Sequence, residues 1–183
     1  MKTKLTAQDI REGRFTLSPT LSARVTMERD DCHGAPWEEN DGHGPVSGWV
    51  ARDKRPGERV LASDQHLKRH YDFAAAVEIA KRDGWDAPPY KTGTKGEQAV
   101  RAVESDFQFL KSWCDDEWFY AVVSVALHDV DGEEISSDCL GGVESRGDYW
   151  RECAADMLNE LIAQHSAETV ERAYWEARDT VTA

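Results

Sequence analysis

The longest apolar stretch of the chain, Phe119 to Leu127, is followed by Asp131-Gly132 and then by EEISSDCLGGV. A run of that length is about half of what a helix needs to cross a bilayer. An Asp-Gly pair between two such segments favours the positive-φ backbone of a tight hairpin turn. FYAVVSVALHDV and EEISSDCLGGV are therefore expected to pair as antiparallel strands. A second strand signal lies between Phe15 and Met27, where Leu21, Ala23, Val25 and Met27 alternate with Ser22, Arg24, Thr26 and Glu28. That period of two describes a strand with one wet face. Pro19 places its start at an edge or after the proline. A short strand, Arg59 to Ala62, is expected downstream.

Helical signals fill the gaps. Asp72 is a suitable N-cap for a helix with Phe73, Ala76, Val77 and Ala80 on one face, stopped near Gly84. The PPY turn and the Gly93–Gly96 region separate it from a longer helix. There Val100, Val103, Phe107, Leu110 and Cys114 recur every three or four residues beside Trp113. A last helix is expected from about Asp148 to Leu161 or beyond. The order β–loop–β–α–α–β–β–α has no repeats. It predicts an α+β fold: a small antiparallel sheet with about three helices on one face, in a single domain spanning 14–183. Residues 1–13 are polar and expected to be flexible. Between them and the helices, residues 30–57 hold five glycines and three prolines and read as a long irregular loop.

Function classes are bounded mainly by charge. Residues 1–91 carry 15 Lys and Arg against 15 Asp and Glu, whereas residues 92–183 carry 7 against 20, the whole net charge of −13. Such a surface repels nucleic acid and anionic membranes and attracts basic partners. Glu144, Asp148, Glu152, Asp156 and Glu160 are spaced four apart. On a helix they would form one row with about 6 Å between neighbours, close to the spacing of phosphates along a nucleic-acid strand. Like charges at that spacing each cost a few tenths of a kcal/mol, so the row suits a solvated face or a surface that docks on a basic groove. Asp115, Asp116 and Glu117, and the cluster from Asp129 to Asp138, are candidates to extend it. The stretch Arg52–Arg69 with Lys81 and Arg82 is basic but interleaved with acids. It is expected to pair within the molecule or across a homodimer rather than to bind nucleic acid.

No constellation specifies a reaction. There is no GxSxG, no Walker A sequence and no GxGxxG, and GTKGEQ is too short for a phosphate loop. His33, Asp41 and His43, near Cys32, are the candidates for a metal-dependent hydrolase or nuclease, but no second ligand pair follows at a familiar spacing. His66 and His70 form a weaker pair. In the same segment, Trp37 and Trp49 are expected to anchor the loop while Glu38, Glu39 and Asp41 are presented to a partner. No cofactor is expected. Cys32, Cys114, Cys139 and Cys153 lie far apart without a CxxC, which suits reduced thiols. MKTKLTAQDIREGR has no apolar core of the kind a secretion signal carries. A cytoplasmic protein with no membrane segment is the expectation.

At GAPWEENDGHGPVSGW, RDKRPGERVL, YDFAAAVEIAKRDGWDAPPY and WCDDEW, across about residues 15–160, the chain resembles a family of small uncharacterised proteins of tailed bacteriophages and prophages. The resemblance carries no catalytic residues. It implies an accessory phage protein made in a bacterial cell. Small acidic proteins of that kind often inhibit restriction or CRISPR complexes by presenting a DNA-like surface. The expected partner is thus a host protein with a basic nucleic-acid-binding groove. The alternatives are the metal-dependent hydrolase and a virion or DNA-packaging accessory.

Overall fold

The structure, a computed structural model, describes residues 4–39, 42–85 and 93–181. Its architecture is antiparallel α+β. The strands are β1 (Gly13–Ser18), β2 (Leu21–Arg29), β3 (Glu58–Asp64), β4 (Leu67–Asp72), β5 (Tyr120–His128) and β6 (Glu134–Glu144). The helices are α1 (Pro36–Glu39), α2 (Phe73–Asp83), α3 (Lys95–Cys114) and α4 (Tyr149–Val181). The chain divides into two compact units, Met1–Asp31 with Phe119–Ala183, and Cys32–Trp118. Among the described residues no helix is long and apolar enough to cross a membrane, and no disulfide joins the four cysteines.

The first unit is a four-stranded sheet in the order β1-β2-β5-β6. What reads in sequence as one strand from Phe15 to Met27 is a hairpin, because the chain turns at Pro19-Thr20 and pairs Phe15 with Ala23. Alternation then fixes the inner face. Phe15, Ala23, Val25, Val123, Val125, Leu127 and Val143 are buried against Trp150, Ala154, Met157, Leu158 and Leu161 of α4. Each Val or Leu buried this way contributes roughly 1.5–3 kcal/mol. The Asp131-Gly132 turn forms as its sequence predicts, and Asp129 locks it. Asp129 Oδ1 accepts the N–H groups of Asp131 and Glu133, each at 2.9 Å, while Gly132 supplies a φ of 86°.

The N-terminal segment, expected to be flexible, is pinned over residues 4–12. Asn159 of α4 takes both backbone groups of Leu5, accepting its N–H at 2.8 Å and donating to its carbonyl at 3.0 Å. A 3-10 turn over Ala7–Asp9 follows, and Ile10 is buried in the core. The sequence pattern missed this because the anchoring partner lies on the last helix.

In the second unit β3 and β4 form a two-stranded sheet. β4 was hidden in sequence: LKRHYD is charged, but it buries His70 and Tyr71. The loop expected to be irregular lies partly along its far edge. Ser47 N–H donates to the His70 carbonyl at 2.8 Å, and Val50 and Lys68 exchange both backbone bonds at 2.9 Å. Helix α2 is capped as its sequence predicts. The Asp72 carboxylate accepts from Ala75 N–H at 2.9 Å, and Gly84 ends the helix in the left-handed conformation. GTKGEQ proves to be the start of α3, where Thr94 and Glu97 form a reciprocal capping box. Leu61, Tyr71, Ala76, Ala80, Ala99, Val103, Phe107 and Leu110 make this unit's core. Val100, expected on the apolar face of α3, is exposed instead. The PPY turn at 88–90 lies outside the described residues.

The basic stretch is largely neutralised within this unit. Arg52 pairs with Glu58, Lys68 with Asp53, Lys81 with Glu78, Arg82 with Asp83, and Arg59 with Glu104. The Arg52 fork spans both Glu58 oxygens at 2.7 Å. That hydrogen bonding, with the Arg55 N–H behind it, lowers the Glu58 carboxyl from its ordinary 4.5 to about 2. A depressed carboxyl stabilises the fold fully above its unfolded pKa and loses that contribution as pH falls toward the folded one. Glu58→Gln is therefore expected to lower Tm at neutral pH, with the gap to wild type closing between about pH 5 and pH 2. A melting series over that range checks it; a gap independent of pH would show that the pair carries no linkage.

Candidate functional site

Three features carry chemistry. The first is the exposed side of α4. Asp148 sits immediately before the helix, and its backbone carbonyl accepts from Arg151 and Glu152. With Glu152, Asp156 and Glu160 it is exposed, while Trp150, Ala154, Met157, Leu158 and Leu161 are buried. The row is shorter than its spacing predicts. Glu144 is the last residue of β6, half-buried and 3.1 Å from Arg146, so strand geometry removes it from the helical face. The remaining four carboxylates span about 18 Å of helix rise. Arg151 lies 2.8 Å from Asp148 and Lys4 3.5 Å from Asp156. These are exposed pairs that offset little of the repulsion.

Asp115, Asp116 and Glu117 belong to the second unit, at the end of α3, where Lys111 donates to both Asp115 oxygens at 2.6 Å. The fold thus redistributes the charge. The first unit carries 10 Lys and Arg against 19 Asp and Glu, the second 12 against 16.

The second feature is a carboxylate clamp that the sequence reading missed. Asp106 on α3 accepts from the Tyr71 hydroxyl at 2.6 Å and from the Gly44 N–H at 2.9 Å, both on Oδ2. Its Oδ1 lies 2.6 Å from His43 Nδ1. The imidazole also stacks on Phe109, with centroids 5.5 Å apart. Burial, reinforced by the bond to Asp106, raises the Tyr71 hydroxyl far above its ordinary pKa. A Cβ on Gly44 would clash with the Tyr71 hydroxyl, so only glycine fits there. The signal was present: Asp106 falls three residues after Val103 and four before Leu110, on the apolar face of its helix.

This clamp settles where the metal candidates stand. His43 turns Nδ1 to Asp106, and Asp41 lies outside the described residues. His33 lines the cleft described next, while His66 is exposed at the β3–β4 turn and His70 is buried in β4. Among the described residues no group of three His, Cys, Asp or Glu side chains is arranged to hold a metal ion.

The third feature is a cleft of about 720 Å³ in the second unit. Trp37, from the short helix after Pro36, meets Trp113 of α3 edge-on, with centroids 5.3 Å apart. Arg69 of β4 places its guanidinium 4.8 Å from the Trp37 ring and 5.2 Å from the Trp49 ring. Lys111, Asp115, Glu38 and Cys114 also line the cleft, with residues 33–35 and 60–63. Burial pushes the Cys114 thiol up to about 11, so at neutral pH it is an uncharged lining group and no nucleophile. Of the expected epitope, Trp37 and Glu38 line the cleft. Glu39 is turned back to the Gly34 N–H at 3.0 Å. Trp49 lines the cleft with nearly half its surface exposed. The chain matches no protein-family model, no curated protein and no solved structure.

Asp106→Ala leaves the buried Tyr71 and Gly44 donors and the half-buried His43 without their acceptor and is expected to cost about 3–5 kcal/mol, against about 1–2 for Tyr71→Phe. Urea unfolding of the two variants compares them. Equal costs would mean that the carboxylate does not serve all three partners.

Proposed function

We propose that the protein is a non-enzymatic binding protein that docks the acidic side of α4 on a basic surface of another protein. The observation that carries this reading is the exposure of Asp148, Glu152, Asp156 and Glu160 along one side of a helix whose opposite side is buried. Two like-charged i, i+4 pairs follow one another on the helix, an arrangement that stability alone does not favour. The unit that bears them has nine more acids than bases. A field of that sign speeds association with a cationic groove and repels nucleic acid itself.

The class of partner follows from the charge. A groove built to hold a phosphate backbone presents Lys and Arg along one strand direction, and a carboxylate row of about 18 Å reaches across a few of those positions. We read the protein as a phage or prophage accessory factor directed at a host nucleic-acid-processing complex, of the restriction or CRISPR kind. The resemblance in the WEENDGHGPVS region supports that setting, and the electrostatics support the mode of attachment.

The combined variant Asp148→Asn, Glu152→Gln, Asp156→Asn and Glu160→Gln removes the charge while keeping the size of each exposed side chain. It is expected to retain the fold and the wild-type Tm within a few degrees. Purification of tagged protein from its bacterial host at low and high salt tests the reading. A DNA-handling complex should accompany wild type, fade with salt, and fall at least about tenfold with the variant, since each lost contact weakens a salt-sensitive attachment. Retention of the same partner by the variant would rule the acidic side out.

A further inference from the structure

The tryptophan cleft is independent of the acidic helix and belongs to the other unit. We propose that it binds a small organic anion, a flat aromatic ring bearing a single carboxylate, with the ring against the indoles and the carboxylate on Arg69.

The volume of about 720 Å³ lies within the range of roughly 300–1,000 Å³ of small-molecule sites. The lining supplies aromatic faces and edges from Trp37, Trp49 and Trp113, and such surfaces hold flat rings by offset or edge-on packing. Cys114, the half-buried last residue of α3, adds an uncharged lining group.

Arg69 gives the ligand its charge. Two indoles hold the guanidinium, so its position is fixed without any carboxylate. No hydrogen bond or ion pair engages its nitrogens among the described residues, although the chain has 35 Asp and Glu. Arg52, Arg59 and Arg82 of the same unit are each paired with one. A guanidinium held by aromatic rings rather than by a carboxylate keeps its N–H donors for an acceptor from outside, and a carboxylate matches that fork with two parallel bonds.

The rest of the wall limits how much charge the ligand carries. Lys111 is spent on Asp115 at 2.6 Å, and Glu38 turns an oxygen to the Ala35 N–H at 3.3 Å. Arg69 and Lys111 against Glu38 and Asp115 make the charged side chains of the wall formally neutral. A bound monoanion leaves the cleft with one net negative charge, offset only by its direct contact with Arg69. A di- or triphosphate would add charge that Glu38, Asp115 and the net −13 of the chain all oppose. A neutral ring would leave the guanidinium edge without an acceptor.

Naphthalene-2-carboxylate and its uncharged isostere naphthalene-2-carboxamide separate these terms. Titration calorimetry on the full chain is expected to show the carboxylate binding on the order of tenfold tighter than the amide, the loss of one charge-assisted contact. In Arg69→Gln the preference should vanish while the weak binding of the amide persists. In wild-type protein labelled with ¹⁵N at its tryptophans, the carboxylate should shift three indole signals, those that disappear in turn in Trp37→Phe, Trp49→Phe and Trp113→Phe. This readout needs no Arg69 variant and so survives any effect of that change on folding. Equal affinity for the two probes, a carboxylate preference that persists in Arg69→Gln, or no heat and no indole shift with either probe at millimolar concentration would each overturn the proposal.

Discussion

The Asp106 carboxylate is the contact on which the 32–118 unit depends. It gathers a helix, a strand and a glycine-rich loop onto two oxygen atoms, and each of its partners would be costly to leave unpaired. Tyr71 brings β4, Gly44 and His43 bring the loop, and Phe109 one turn along α3 backs the imidazole. Once Tyr71 is fixed, the neighbouring Arg69 and His70 have fixed directions along the strand. The loop that begins at His43 then has only one edge to run along. A polar network of this kind specifies an arrangement more sharply than apolar packing does, because a shifted register would strand three donors at once.

That constraint also explains how a glycine- and proline-rich stretch is held over residues 43–50. Gly44 admits the tyrosine hydroxyl, Pro45 offers its carbonyl to Asp72, and residues 47–50 exchange bonds with β4. The two tryptophans of this region end at a cleft rather than in the core. An aromatic cage around a cation is the result, built from side chains that lie far apart in sequence.

How much of this the sequence reveals depends on the range of the interaction. The β5–β6 hairpin, the Asp72 cap and the Gly84 stop rest on neighbours within a turn or a strand and are legible, whereas α3 begins inside the Gly93–Gly96 region that reads as a separator. The acidic side of α4 was legible from Asp148 onward, but Glu144 was misplaced because spacing alone does not show where strand gives way to helix. β4 was missed since its two buried residues, His70 and Tyr71, are adjacent and stand among charged ones, so no apolar alternation marks the strand. The clamp and the cage were invisible as units. Their members come from positions 37 to 113 and meet only through the fold, although an aspartate on the apolar side of α3 was the one local hint.

The order of the strands has a consequence for how the chain comes into being. β2 pairs with β5, and Asp30 donates to the Tyr120 carbonyl at 2.8 Å, so the two ends of the 32–118 segment leave from adjacent strands. The N-terminal hairpin therefore waits for its neighbour until everything between has been synthesised. The cleft-bearing unit is continuous in sequence and is complete at the ribosome before the first strands find their partner. Closing so long a loop costs only slightly more entropy than closing a shorter one, since the penalty grows as the logarithm of length. The strand that precedes the inserted segment and the strand that follows it are neighbours in one sheet, so the segment leaves that sheet and re-enters it at one place.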